Sequence, residues 1–342
     1  MDSPLAHLNT VWITFPTVQG RCRQCQHFVT TRPKEFHPTK KATWRYMRLV
    51  SSWAGTAPAS QVASIFEVSA STVRSYDKAV LEHDTPPPRL DGIRALLVDE
   101  KSVRKRHNYV TVVLNADTGG PLHMDGGKKG GSLAVFLKGL TEEQKASIEA
   151  VGMDRGGAYK SAVEQHLPDA EIVFDRFHLV MNVNQAVDET RRSEWNKAAK
   201  EEKKFIKGGR FLLLTNASNL AERKQGKLED LMAANQSLST AHLLKEQFQA
   251  VYHYKSAGWA KRYLAQWCTL ALESGLKPFA RLARGFTKSS DQIVSYVRHK
   301  ITSGKIESFN NQIARIIHRS CGVADLAYLF IRLRHATVMR NA

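Results

Sequence analysis

Between residues 94 and 174 the apolar positions come mostly in short runs that end at polar turns. Leu96, Leu97 and Val98 read as a buried strand, and Asp99 with Glu100 interrupts it before a basic segment at 101–107. That is an expensive place for charge. YVTVVL at 109–114 is rich in β-branched residues and stops at the turn-forming NADTGG of 115–120, after which 121–124 supply a third strand. Residues 132–140 then repeat at helical spacing, and IEAVGMDR at 148–155 is a short apolar strand ending in Asp154. A helix at 158–167, ended by Pro168, leads to a fifth strand, EIVF at 171–174, which runs into Asp175, Arg176, Phe177 and His178. This order predicts an α/β fold with a mixed five-stranded sheet. Placing the first and fourth strands side by side brings Asp99 and Asp154 together. Two carboxylates that close repel each other unless a cation sits between them, and hard oxygen ligands with room for water and phosphate suit magnesium. Taken singly, Asp99 reads equally well as an edge or turn acid, and Asp175 with His178 as a structural hydrogen-bonded pair.

On either side of this block the spacing becomes helical. PASQVASIFEVSASTVRSY at 58–76 has the layout of a helix-turn-helix: Ala63 lets two helices cross closely, Val68 and Val73 hold the pair, and Ser69 caps the second helix. Ser71, Thr72, Arg74 and Ser75 then face DNA. Glu67 occupies the turn, where glycine is usual, so a left-handed backbone there is strained. HDTPPPRLDG at 83–92 is an extended linker set by three consecutive prolines. Residues 184–290 lack strand signals and hold amphipathic stretches at 243–254 and 259–272, broken at Gly208–Gly209 and at 216–219, so an all-helical segment is expected with Trp195, Trp259 and Trp267 in its core. The last informative stretch, 302–318, is a helix with Glu307, Asn311, Arg315 and His318 on one face and Phe309, Ile313, Ile316 and Ile317 on the other.

Composition sharpens the choice of partner. The 342 residues include 50 Lys and Arg against 32 Asp and Glu, a formal charge of +18, which favours a polyanion. The excess is dispersed rather than confined to a tail, so nucleic acid is preferred over a membrane surface, with a merely solvated basic exterior as the alternative. No apolar run reaches transmembrane length and residues 1–10 do not read as a secretory leader, so a cytoplasmic protein is expected. Four cysteines make no disulfide framework. Cys22 and Cys25, behind a strand expected at 10–18, are half of a zinc-ribbon signature; His27 and His37 are the candidates for the other two of zinc's four ligands. Two free thiols are the preferred reading and zinc the alternative.

Taken together, LLVDEKSVRKRHNYVTVV, EAVGMDRGGAY, IVFDRFHLVMNVNQAVDETRR, FLLLTNASNL, HLLKEQF and RHKITSGKIESFNNQIARI, in that order, resemble bacterial insertion-sequence transposases of the ISL-three group. The resemblance implies a ribonuclease-H-like fold interrupted by a large helical insertion and carrying an Asp-Asp-Glu triad, here Asp99, Asp154 and Glu307. It implies magnesium, with manganese as a substitute, held by those three acids for phosphoryl transfer that cleaves element ends and joins them to target DNA. The implied partners are terminal inverted repeats, target DNA and further copies of the chain, with no membrane, in the bacterial cytoplasm near the nucleoid. Lys305 and Arg315 flank Glu307 as candidate phosphate contacts, and Asp175, His178 and Asn311 as supporting residues. The expected organisation is an incomplete zinc-ribbon-like segment at 1–40, a helix-turn-helix DNA-binding domain at 41–84, a linker at 85–92, the catalytic domain in two parts at 93–183 and 291–342, and the helical insertion at 184–290. Two departures stand out: family members usually begin with two CxxC pairs and this chain has one, and Gly156–Gly157 follows Asp154 where bulkier residues are common. The rival readings are a catalytically inactive DNA-binding protein or repressor, which needs no three acids, and a ribonuclease-H-like nuclease, which needs no long insertion or sequence reader.

Overall fold

In the computed structural model, residues 11–104, 108–127 and 130–341 are described, so the amino terminus at 1–10 and the end of the basic segment at 105–107 lie outside the described residues. The chain opens with a hairpin of β1 (Gln19–Arg21) and β2 (Phe28–Thr30). The strand expected at 10–18 forms instead at 19–21, because nearly all of 11–18 is exposed and has no sheet face to bury against. Three helices follow: α1 (Trp44–Ala54), α2 (Ala59–Ile65) and α3 (Ala70–Asp84). The Ser69 hydroxyl accepts the Thr72 N–H at the start of α3, and Val62, Ala63, Phe66, Val73 and Val80 pack with Tyr46, Met47 and Val50 of α1. Glu67 does hold a left-handed backbone, φ 50°, at a cost of about 1 kcal/mol.

The sheet contains β3 (Ala95–Arg104), β4 (Asn108–Asn115), β5 (Pro121–Gly126), β6 (Ala150–Met153) and β7 (Glu171–Phe174), in the order β5-β4-β3-β6-β7. Strands β3, β4 and β5 are antiparallel neighbours, while β6 and β7 run parallel to β3. The first part of the basic segment belongs to β3, which continues to Arg104. Helices α4 (Gly131–Lys138), α5 (Glu142–Ser147) and α6 (Gly157–His166) occupy the crossovers, and α7 (Arg176–Lys197) leaves the end of β7. This helix passes unbroken through the boundary expected between 183 and 184.

Beyond it lie α8 (Lys200–Gly208), α9 (Arg210–Leu214), α10 (Glu222–Ala234), α11 (Gln236–Ala250), α12 (Ala257–Glu273), α13 (Lys277–Thr287), α14 (Ser290–Val294) and α15 (Tyr296–His299). Trp267 is their core, donating its indole N–H to the Leu244 carbonyl at 2.8 Å and packing on Phe248, Phe279 and Phe286. Trp195 and Trp259 correct the expectation. They are 36% and 60% exposed, and their ring faces carry Lys203 and Arg262 rather than core side chains. No helix among the described residues is long and apolar enough to cross a membrane.

Two final helices, α16 (Gly304–Arg319) and α17 (Leu326–Asn341), return to the sheet. Side chains alternate along a strand, so Leu96 and Val98 face one layer and Leu97 the other. Leu96 and Val98 pack with α4, α6 and α7; Leu97, Val110, Val112 and Leu114 pack with Ile306, Phe309, Ile313 and Ile316 of α16 and Leu329 and Leu333 of α17. Asp99 shares the parity of Leu97, which turns it toward α16. Helix α17 also holds the three-helix unit: Asp77, 2% exposed on α3, accepts from the Ser51 hydroxyl at 2.6 Å and from the Tyr328 hydroxyl, with Arg332 Nε 3.5 Å away, and Lys78 pairs with Asp325 at 2.6 Å.

Candidate active site

The parallel ladder between β3 and β6 ends at the pair Val98–Met153, so Asp99 and Asp154 are the residues that follow it on the two segments. The Asp99 carboxylate accepts the Glu100 N–H at 2.7 Å on Oδ1 and the Asn310 side-chain amide at 2.6 Å on Oδ2. Asp154 Oδ1 meets His178 Nδ1, and Asp175 Oδ2 lies 3.9 Å from the same nitrogen. Asp175 is also the N-cap of α7, its Oδ1 accepting the Phe177 N–H at 3.2 Å, and the nearby Ser303, just ahead of α16, favours its charged form. Burial raises its pKa above the usual carboxylate range, and the neighbouring charge of Asp99 adds to the rise.

Asp99, Asp154, Asp175, His178, Glu307, Asn310 and Asn311 all line one cavity of about 290 Å³. The expected first and second acids are therefore at one opening, with the helix that carries the third beside them. Among the described residues, the tightest group with metal-ligand potential is Asp154, Asp175 and His178, whose ligand atoms lie within 4.8 Å of one another. The cluster thus contains two residues expected only to support the site, while Asp99 and Glu307 line the cavity outside it. Asp175 Oδ2 is buried with no hydrogen-bond partner. Carboxylate oxygens, one of them orphaned, together with an imidazole are donors that fit a hard divalent cation.

Other expected residues are distributed differently. Lys305 does not line this cavity; its ammonium donates to the carbonyls of Ala116 and Asp117 and so ties the turn between β4 and β5 to α16. Arg315 lies with Gly304, Glu307, Ser308 and Asn311 along an open groove on the exposed face of α16. Ser71, Arg74 and Ser75 line a groove of about 820 Å³ shared with Cys321, Tyr328 and Arg332, and the Ser75 hydroxyl accepts from Lys40 at 2.6 Å. The Thr72 hydroxyl pairs with that of Ser69 at 2.8 Å. Cys22 and Cys25 sit in the turn of the first hairpin, where the N–H groups of Cys25 and Gln24 lower the Cys22 thiol pKa. No third His, Cys, Asp or Glu among the described residues joins them, and His37 Nδ1 accepts the N–H groups of Thr39 and Lys40 at 3.1 Å each. Asn310 was not among the expected residues. Its three-residue offset from Glu307, which places both on one side of a helix, is the signal that would have found it.

A transposase family model, that of the ISL-three DDE group, matches residues 96–333. The chain belongs to this family. It is similar to the transposase for insertion sequence element IS1001 of Bordetella parapertussis, 29% identical over 321 residues that cover 92% of this chain and 78% of that protein. It is also similar to the transposase for insertion sequence element IS1557 of Mycobacterium tuberculosis, 28% identical over 248 residues. That match covers 66% of this chain and 56% of the relative, a little over half of that protein's length. The family match begins on β3 and ends on α17, so it spans every strand and helix that lines the acidic cavity.

Proposed function

We propose that this chain is a DNA transposase of ribonuclease-H type that cleaves the ends of an insertion sequence and joins them to target DNA. The observation that carries the reading is the cavity shared by Asp99, Asp154 and Glu307, three acids drawn from distant parts of the sequence. Asp99, Asp154 and Glu307 would hold magnesium or manganese, with His178 orienting Asp154 and the orphaned Asp175 oxygen as a further donor beside them. Bound there, the metal supplies activation of an attacking hydroxyl and charge stabilisation at phosphorus. Arg315 lies along the groove leading from Glu307 and contacts the DNA backbone, with Asn311 beside it as a supporting residue. The unit at 41–84 reads terminal inverted repeats through Ser71, Thr72, Arg74 and Ser75, joined by the linker at 85–92 to the catalytic parts at 93–183 and 291–342 and the insertion between them. Copies of the chain assemble on paired ends in the bacterial cytoplasm.

The test uses purified full-length chain and labelled duplexes carrying the repeats that flank its gene. Asp99→Asn, Asp154→Asn and Glu307→Gln should each abolish strand cleavage and leave DNA affinity within a few-fold of the parent. Cleavage retained at near-parental rate by one variant removes that residue from the triad, and cleavage undiminished in excess chelator rejects the metal-dependent reaction.

A further inference from the structure

We infer that Asn310 is a positioning residue of the cation site, orienting Asp99 through its amide nitrogen and accepting a hydrogen bond from metal-bound water through its amide oxygen. The inference rests on the reading of the acids as metal ligands. Asn310 is 8% exposed and lines the acidic cavity. A carboxylate only accepts, so the atom that faces Asp99 Oδ2 at 2.6 Å is the NH2 group, which fixes the orientation of the amide. The amide oxygen is thereby directed away from Asp99, and it is buried without a hydrogen-bond partner.

A buried carbonyl oxygen left unpaired is costly, and the same cavity holds a second orphaned acceptor, Asp175 Oδ2. An amide oxygen without a donor, beside a carboxylate oxygen free to take a cation directly, calls for a ligand that brings both hydrogens and positive charge. Water on a divalent cation brings two per molecule and carries its charge with it. Asn310 also completes the clamp on Asp99: the Glu100 N–H holds one oxygen and Asn310 the other, so the carboxylate plane is fixed and its remaining lone pairs are left for the metal. This contact joins residues 211 positions apart and ties the helix that carries Glu307 to the strand that carries Asp99.

The test measures manganese binding to the full chain without DNA, by calorimetry and by the spin resonance of free ion, for the parent, Asp99→Asn, Asn310→Ala and Asn310→Leu. Leucine keeps the branched outline of Asn310 in a somewhat larger side chain and cannot hydrogen-bond to Asp99 or to water, so it carries the measurement should alanine fail to fold. Manganese affinity is expected to fall about 10- to 100-fold in the Asn310 variants, as it does when groups that orient metal ligands are removed. Half-saturating magnesium for end cleavage should rise in step, with part of the rate regained at high magnesium. Unchanged manganese affinity in a folded Asn310 variant, beside weakened binding in Asp99→Asn, overturns this inference and leaves the acids as read. A parent chain whose manganese binding is indifferent to Asp99→Asn overturns both.

Discussion

Gly152 sets how closely the helix of the third acid approaches the strand of the second. It lies in β6, paired with Leu97 and two residues before Asp154. A methyl group built on it would lie 2.6 Å from Ile301 Cγ2 and 2.9 Å from Leu97 Cδ2, whereas carbon atoms rest at about 3.5–4.0 Å. Each neighbour would have to retreat by roughly 1 Å. Leu97 is held between flanking strands, so Ile301 should yield, and with it Ser303 and the first turn of α16, where Glu307 sits. Overpacking of this size costs about 1–3 kcal/mol, and a displacement near 1 Å in a catalytic constellation reduces rate by about a hundredfold. Gly152→Ala should therefore lower the urea midpoint and cut end cleavage by about that factor at saturating magnesium. Adding Ile301→Ala opens the space again, so the double variant should regain cleavage beyond the sum of the two single effects. The comparison is Gly157→Ala, whose added carbon meets nothing within 4 Å and should be neutral in both assays. A Gly152→Ala chain with the parental midpoint and the parental cleavage rate would refute the claim that this glycine governs the approach of α16.

Two further outcomes follow from buried acids. Because burial raises the folded-state pKa of Asp175 above its unfolded value, ionisation destabilises the fold, and wild type loses stability relative to Asp175→Asn as pH rises from the ordinary carboxylate range through the raised value. In chelator Asp175→Asn should thus be the more stable chain at pH 7 and equal to wild type in strong acid, since asparagine also caps α7; a lower melting temperature at pH 7 contradicts the sign. Asp77→Ala strips Tyr328 and Arg332 of α17 of their buried partner, and should cost on the order of 3–5 kcal/mol and expose the segment at 85–92 to protease; digestion at the parental rate would show that this pair does not hold the three-helix unit.

Much of the sheet was legible in the chain because its signals are local. β-Branched runs, turn sequences and the prolines marked the strands of 95–174, and alternation along β3 decided which layer each side chain joins. The acid within β3, those that follow β6 and β7, the cap at Ser69 and the strained Glu67 were likewise readable from neighbours within a few residues. What only tertiary structure decided lies across long separations. The grip of Asn310 on Asp99, the burial that perturbs Asp175, the diversion of Lys305 to the turn at Ala116 and the exposure of Trp195 and Trp259 each depend on which surfaces meet. A periodic pattern states that a face will be covered and is silent on what covers it, because burial of apolar area is non-directional while hydrogen bonds and ion pairs are specific to the atoms that packing brings within reach.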